Sequence, residues 1–334
     1  MENNPLLSVQ DLKVHFIGDE TVARALNGVS YDVGEGEAVC IVGESGCGKT
    51  VSVLAVLGLI PQPPGKIVGG KVLFRGQNIL NLDDEALQKI RGKRIGMVFQ
   101  EPMTSLNPVF TIGYQIEEEI MIHEQVSAKE RRERAVRLLR DVGIPSPEDR
   151  LKDYPHQLSG GQRQRVMIAM ALACNPELVI ADEPTTALDV TVQAQILDLF
   201  KELQAQRHMS LLYITHDLGV VANVADRIYV MYAGICVEQG NAMDIFRRPS
   251  HPYTRGLLSS LPSRIHRGTD LHTIPGSVPD PAHIPGGCPF HPRCPHAVDT
   301  CRSQFPGMCD YGDGHLSRCP VLYEAEGKES RWAE

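Results

Sequence analysis

The run Gly43-Glu44-Ser45-Gly46-Cys47-Gly48-Lys49-Thr50 fits G-x-x-x-x-G-K-[ST] at every fixed position. It follows the apolar stretch Ala38-Val39-Cys40-Ile41-Val42 and precedes a helix-compatible run, which is the context the motif requires. Glycines at 43, 46 and 48 let backbone N–H groups turn inward around phosphate oxygens, with Ser45 and Cys47 completing the loop. Lys49 would place a cation at the β/γ-phosphates, and the Thr50 hydroxyl can ligate Mg²⁺. The helix that follows directs its positive end at the same anion. Further on, Leu178-Val179-Ile180-Ala181 reads as a buried strand that delivers Asp182 and Glu183 at its end. Asp182 could hold Mg²⁺ and Glu183 could polarise an attacking water as general base. A strand ending in a solvated acidic pair is the plainer reading, and the phosphate loop upstream weighs against it.

Between these two stands Leu158-Ser159-Gly160-Gly161-Gln162. Here the chain resembles the ATP-binding cassette (ABC) ATPases, whose signature is L-S-G-G-Q. Ser159 and the Gly160-Gly161 backbone open a helix, so they offer a second anion-binding terminus. The resemblance implies a head-to-tail dimer in which Ser159, Gly160, Gly161 and Gln162 close on ATP held by a partner cassette. It also gives Gln100, in Met97-Val98-Phe99-Gln100, a role at Mg²⁺ and the catalytic water. Ala187-Leu188-Asp189 resembles the loop that communicates across the dimer, with Asp189 at the nucleotide. His216, in Ile214-Thr215-His216-Asp217, resembles the switch histidine at the γ-phosphate. Phe16, or His15 beside it, would stack on adenine. Cys47, at a helix N-terminus, would have a lowered thiol pKa, so alkylation should block activity and ATP should protect; a small, unreactive loop residue is the alternative.

Several segments resemble the ATPases of oligopeptide, dipeptide and nickel importers. They are Gly43 to Gly46, the run Gln100 to Pro108, Tyr154-Pro155-His156-Gln157 and His251-Pro252-Tyr253-Thr254. The resemblance implies an ATP-hydrolysing subunit of a di- or oligopeptide importer, with a nickel or glutathione importer, or a soluble non-transport ABC ATPase, as alternatives. Soluble ABC ATPases of translation or repair carry fused second cassettes or long coiled coils, neither of which occurs here. The implied partners are a second ATPase subunit (a heterodimer favoured over a homodimer), two transmembrane permease subunits and an external substrate-binding protein acting through them. The implied location is the cytoplasmic face of the inner membrane, held peripherally.

Five of the nine cysteines lie between Cys288 and Cys319. Four soft ligands suit zinc or an iron–sulfur cluster, but the spacing C-x5-C-x6-C lacks the close C-x2-C pairs usual in structural zinc sites. The resemblance implies a [4Fe–4S] cluster on Cys288, Cys294, Cys301 and Cys319, with zinc or free thiols as alternatives. Cys309 falls outside that pattern.

These residues must be positioned by a folded scaffold. At 42% hydrophobic and 22% charged residues, the chain can bury a large core. Its length of 334 residues suggests about two domains. Alternating short apolar runs and helical patterns read as α/β, and the resemblance implies a RecA-like core with a helical subdomain. Leu211-Leu212-Tyr213-Ile214 is a third expected strand. Ser127 and Glu130 form a capping box ahead of a helix with Ala135, Leu138, Leu139 and Val142 on one face. Twelve of the 23 prolines lie from Pro249 onward, as does the cysteine cluster. The expected division is a nucleotide-binding domain over 1–246, its helical subdomain at about 101–165, and a Pro/Cys-rich C-terminal region over 247–334. The apolar run Val51 to Ile60 is too short to span a bilayer, and the start of the chain lacks a secretory pattern. A net charge of −8 argues against nucleic acid as a partner.

Overall fold

Strands form where apolar runs are buried on both faces, and this accounts for the three expected from the sequence. In the computed structural model, which describes residues 4–186, 188–261 and 273–327, they run Ala38–Val42, Leu178–Asp182 and Ser210–Thr215, with every residue buried. The packing divides the chain into two units. One takes in the chain up to Val33, Ala38–Leu80 and the chain from Thr215 onward; the other takes in Gly34–Glu37 and Asn81–Ile214.

The first unit holds an antiparallel sheet ordered Val22–Val33, Leu7–Ile17, Gly65–Phe74, Gln77–Asn78. Val9, Leu12 and Val14 face its core. The alternation slips between Val9 and Lys13, where Asp11 adopts a φ of 48° and the ladder shifts register. Beside it, Ala38–Val42 pairs in parallel with Arg227–Tyr232, which turns back antiparallel into Ile235–Asn241. The two-residue strands Leu316–Ser317 and Cys309–Asp310 extend that edge. The C-terminal region is thus tied to the body by backbone pairing.

A buried carboxylate makes a further tie. Glu238 is fully buried and accepts from the backbone N–H groups of Ser250 and His251, at 2.5 and 3.0 Å, and meets His315 Nε2 at 2.8 Å. A buried charge is tolerated only when its lone pairs are filled this way. The chain entering the helix Pro252–Ser259 is therefore fixed where it leaves the sheet. His251 caps that helix, its Nδ1 accepting from Tyr253 N–H at 3.1 Å.

In the second unit Ile95–Val98, Leu178–Asp182 and Ser210–Thr215 run parallel. The helices Ile112–His123, Ala128–Asp141, Gly160–Ala171 and Val190–Arg207 belong to the same unit. Ala135, Leu138, Leu139 and Val142 are buried, as their spacing requires. Ser127 Oγ accepts from Glu130 N–H at 3.2 Å, but the Glu130 carboxylate meets Arg134 at 3.0 Å instead of reaching back to Ser127. The expected capping box is therefore half formed, because an i,i+4 guanidinium competes for the acid. No helix among the described residues is long and apolar enough to cross a membrane.

Candidate functional site

The phosphate loop lies in the first unit, between the strand Ala38–Val42 and the helix Lys49–Val56. Two glycines are required by geometry. Gly48 has φ 101°, and an added Cβ would stand 2.7 Å from the Ala25 carbonyl oxygen. A Cβ on Gly43 would stand 2.3 Å from the Met231 carbonyl oxygen. Lys49 is buried and folds back over the loop, its Nζ donating to the carbonyls of Gly43 and Glu44 at 2.8 and 3.1 Å. Ser52 Oγ donates to the Lys49 carbonyl at 2.7 Å, tightening the first turn of the helix. Ser45, Gly46 and Thr50 are on the exposed side of the loop. Phe16 is half-buried in Leu7–Ile17, opposite Ala23 and Gly65, and His216 follows the strand Ser210–Thr215 with its side chain exposed.

Cys47 departs from expectation. The thiol is fully buried, and burial raises its pKa despite Lys49 nearby. Loss of solvation outweighs the helix terminus and the neighbouring cation, so a reactive thiolate is not what this position provides. Burial and a raised pKa fit the plainer alternative, a small loop residue whose thiol stays protonated.

Asp182 and Glu183 lie in the second unit. Asp182 is the last residue of a buried parallel strand, paired with Ile214. At Glu183 the chain turns sharply, with φ 44°. Non-glycine residues pay strain for that conformation, and such strain gathers at functional positions. The turn aims the carboxylate back: Glu183 Oε2 accepts from Gln100 Nε2 at 3.3 Å and from Thr186 Oγ1 at 3.0 Å. Gln100 and Glu183, assigned separately from sequence, are thus brought together across 83 residues. Thr186 was not foreseen; its signal is a hydroxyl three residues past the acid.

Ser159 and Gln162 hold each other. Ser159 Oγ accepts from Gln162 N–H at 3.3 Å, and Ser159 N–H donates to Gln162 Oε1 at 3.0 Å. This reciprocal cap leaves Ser159 and Gly160 exposed at the start of Gly160–Ala171. The spacing S-x-x-Q is its signal, legible in the sequence yet passed over. Asp189 is an N-cap too, accepting from Thr191 and Val192 N–H at 3.1 and 3.0 Å. Ala187, in the same expected loop, lies outside the described residues.

Cys288, Cys294, Cys301 and Cys319 line one cavity in the first unit, together with His251, Phe290 and Arg318. Cys309 is not among its walls; it sits in the strand Cys309–Asp310. Burial pushes the Cys288 thiol up to about 11 and the Cys319 thiol up to about 12, and raises that of Cys294. Yet among the described residues no group of three or more His, Cys, Asp or Glu could hold a metal ion. The expected metal site is therefore not formed as a ligand set among the described residues, although the four cysteines line the same cavity.

A strand, a glycine loop, a helix beginning Lys-Thr and a second parallel strand ending Asp-Glu define a phosphate-loop nucleotide hydrolase. Comparison with known proteins narrows the class. Residues 26–186 match the model of the ABC transporter family, and residues 237–301 match that of the oligopeptide/dipeptide transporter C-terminal region. The dipeptide transport ATP-binding protein DppD of Escherichia coli (strain K12) is 51% identical over 97% of this chain and 98% of its own. The oligopeptide transport ATP-binding protein AppD of Bacillus subtilis (strain 168) is 49% identical, over 97% and 98%. Among solved structures, the cassette MJ0796, in a dimeric post-hydrolysis state bound to ADP and Pi, superposes with TM-score 0.64 at 32% identity. It covers 71% of this chain and 98% of its own. The chain belongs to the ATP-binding subunits of ABC transporters, in the branch that carries the oligopeptide/dipeptide C-terminal region. Its reaction is the hydrolysis of ATP.

Proposed function

We propose that this chain powers the import of di- or oligopeptides. Likeness to peptide-transport ATPases along nearly its whole length, C-terminal region included, carries this reading. The proposed domains are 1–246 for nucleotide, with the helical part at about 101–165, and 247–334 as the family-specific region. Gly43 to Thr50 would hold the triphosphate, with Lys49 at the β/γ-phosphates. Thr50, Gln100 and Asp182 would hold Mg²⁺, Glu183 would take a proton from the attacking water, and His216 would contact the γ-phosphate. Phe16 would stack on adenine. Ser159, Gly160, Gly161, Gln162 and Asp189 would complete the site of a partner cassette, a second ATPase subunit. The exposure of Ser159, Gly160 and Asp189 suits that role, since a buried signature could not reach another chain. The exposed Met103 and Val109, after Gln100, suit contact with two permease subunits, which would receive peptide from an external binding protein. The chain would then lie peripherally on the cytoplasmic face of the inner membrane. Co-purification with two polytopic membrane proteins tests this; a chain isolated alone or with ribosomes would overturn it.

We propose a [4Fe–4S] cluster for the cysteine cavity, on the softness and spacing of its four thiols. Each cysteine of such a cluster binds a different iron, so the sulfurs ring a cavity, whereas zinc requires them to meet at one ion. Cys288, Cys294, Cys301 and Cys319 would hold it, giving up thiol protons that burial otherwise retains. Iron and acid-labile sulfide with a broad visible absorption support this; a colourless preparation containing zinc excludes it.

A further inference from the structure

The loop residue Glu44 carries a carboxylate between Gly43 and Ser45, beside the place proposed for a triphosphate. An unbalanced negative charge there would repel the nucleotide. Its balance comes from the C-terminal region, 249 residues away in sequence. Arg293 Nη1 and Nη2 donate to the two carboxylate oxygens of Glu44, at 2.6 and 3.0 Å. The Arg293 side chain is 6% exposed, and its Nε donates to the Pro275 carbonyl at 2.8 Å. It lies over the rings of Tyr232 and Phe290, 5.8 and 6.0 Å from their centres. A planar fork held at both ends reaches a carboxylate in one geometry only, which a lysine could not reproduce.

A second residue of the C-terminal region meets the loop backbone. Glu44 N–H donates to Tyr253 Oη at 2.9 Å. Tyr253 is fully buried and packs edge-on to Tyr232, ring centres 4.7 Å apart, and against Phe290 at 5.4 Å. The loop residue is therefore gripped through its backbone and its side chain by one aromatic-backed wall.

We propose that Arg293, assisted by Tyr253, is a positioning residue for ATP: it neutralises Glu44 and turns that carboxylate away from the bound phosphates. The C-terminal region is then part of the nucleotide site's support. This rests on the reading of Gly43 to Thr50 as the phosphate loop, and the test separates the two.

The test measures binding of a fluorescent MgATP analogue to the full chain and to Lys49→Ala, Arg293→Gln, Glu44→Gln and Glu44→Gln/Arg293→Gln, with the thermal midpoint of each recorded without nucleotide. Arg293→Gln should weaken binding roughly tenfold or more, one decade being about 1.4 kcal/mol of uncompensated repulsion. Glu44→Gln sets the reference for a loop without the acid, and the double variant should bind as that reference does and more tightly than Arg293→Gln, even if its midpoint stays low. Recovery by removing the acid is a result that general unfolding cannot produce. If Lys49→Ala binds as wild type, the phosphate-loop reading falls and the proposal with it. If Lys49→Ala loses binding while Arg293→Gln keeps it, the proposal alone is overturned. A double variant as weak as Arg293→Gln also overturns it, since Arg293 would then support only the fold.

Discussion

Glu183 takes a strained backbone turn and spends its carboxylate on Gln100 and Thr186. That arrangement restrains the acid to one direction, as a base that must meet a single water requires. Glu183→Gln should keep ATP binding while lowering turnover by roughly 10²–10⁴-fold, the usual worth of a positioned general base. Single-turnover kinetics with radiolabelled ATP would show it, and an undiminished rate would remove Glu183 from the role. Thr186→Val should lower turnover less, because it frees the acid without deleting it. Cys47 gives the opposite lesson about local motifs. Its helix-terminal position was readable, but its burial depends on Gly43 and the walls around it, which no spacing reveals. Iodoacetamide should leave Cys47 unlabelled in the native protein and modify it after unfolding, as peptide mass mapping would resolve. Rapid native labelling would contradict the raised pKa.

At the scale of elements, caps decide where the functional helices begin. Asp189→Ala removes an acceptor shared by two N–H groups and should cost about 1 kcal/mol of stability in urea unfolding. Ser159→Ala should cost a similar amount, about 1 kcal/mol, because the Gln162 N–H would lose its acceptor. Unchanged unfolding midpoints would show that neither cap matters. His251 couples a cap to pH. Its buried ring must stay neutral for Nδ1 to accept from Tyr253 N–H, and burial, reinforced by Arg255 and opposed by Glu238, holds its pKa down at about 4. The unfolded chain binds that proton near pH 6.5, so between about 6.5 and 4 the unfolded state carries more protons. Stability should therefore fall as pH drops through that window, by about 3 kcal/mol from this residue. In His251→Asn, which can still cap, that part of the slope should vanish; an equal slope in both proteins would contradict it.

Legibility follows the range of the physics. Ala38–Val42, Leu178–Asp182 and Ser210–Thr215 could be read because strands buried on both faces are apolar throughout. Leu7–Ile17 could not be read so plainly, since its bulge at Asp11 breaks the period of two. The glycine loop, the Asp182-Glu183 pair and the Ser159 signature were readable as short motifs. The Gln100–Glu183 contact and the Arg293–Glu44 pair were not, because each joins distant segments through tertiary packing alone. The cysteines were visible as a cluster, while their arrangement around a cavity needed the fold. Across the whole molecule, this chain is the ATP-hydrolysing part of a peptide importer. The most direct measurement is uptake of a labelled dipeptide by proteoliposomes holding the co-purified assembly and its binding protein, with ATP inside or outside. Uptake that requires ATP on the side bearing this chain, and is lost with Glu183→Gln, is the predicted result. ATP hydrolysis by the intact assembly with no peptide moved across the bilayer would contradict it.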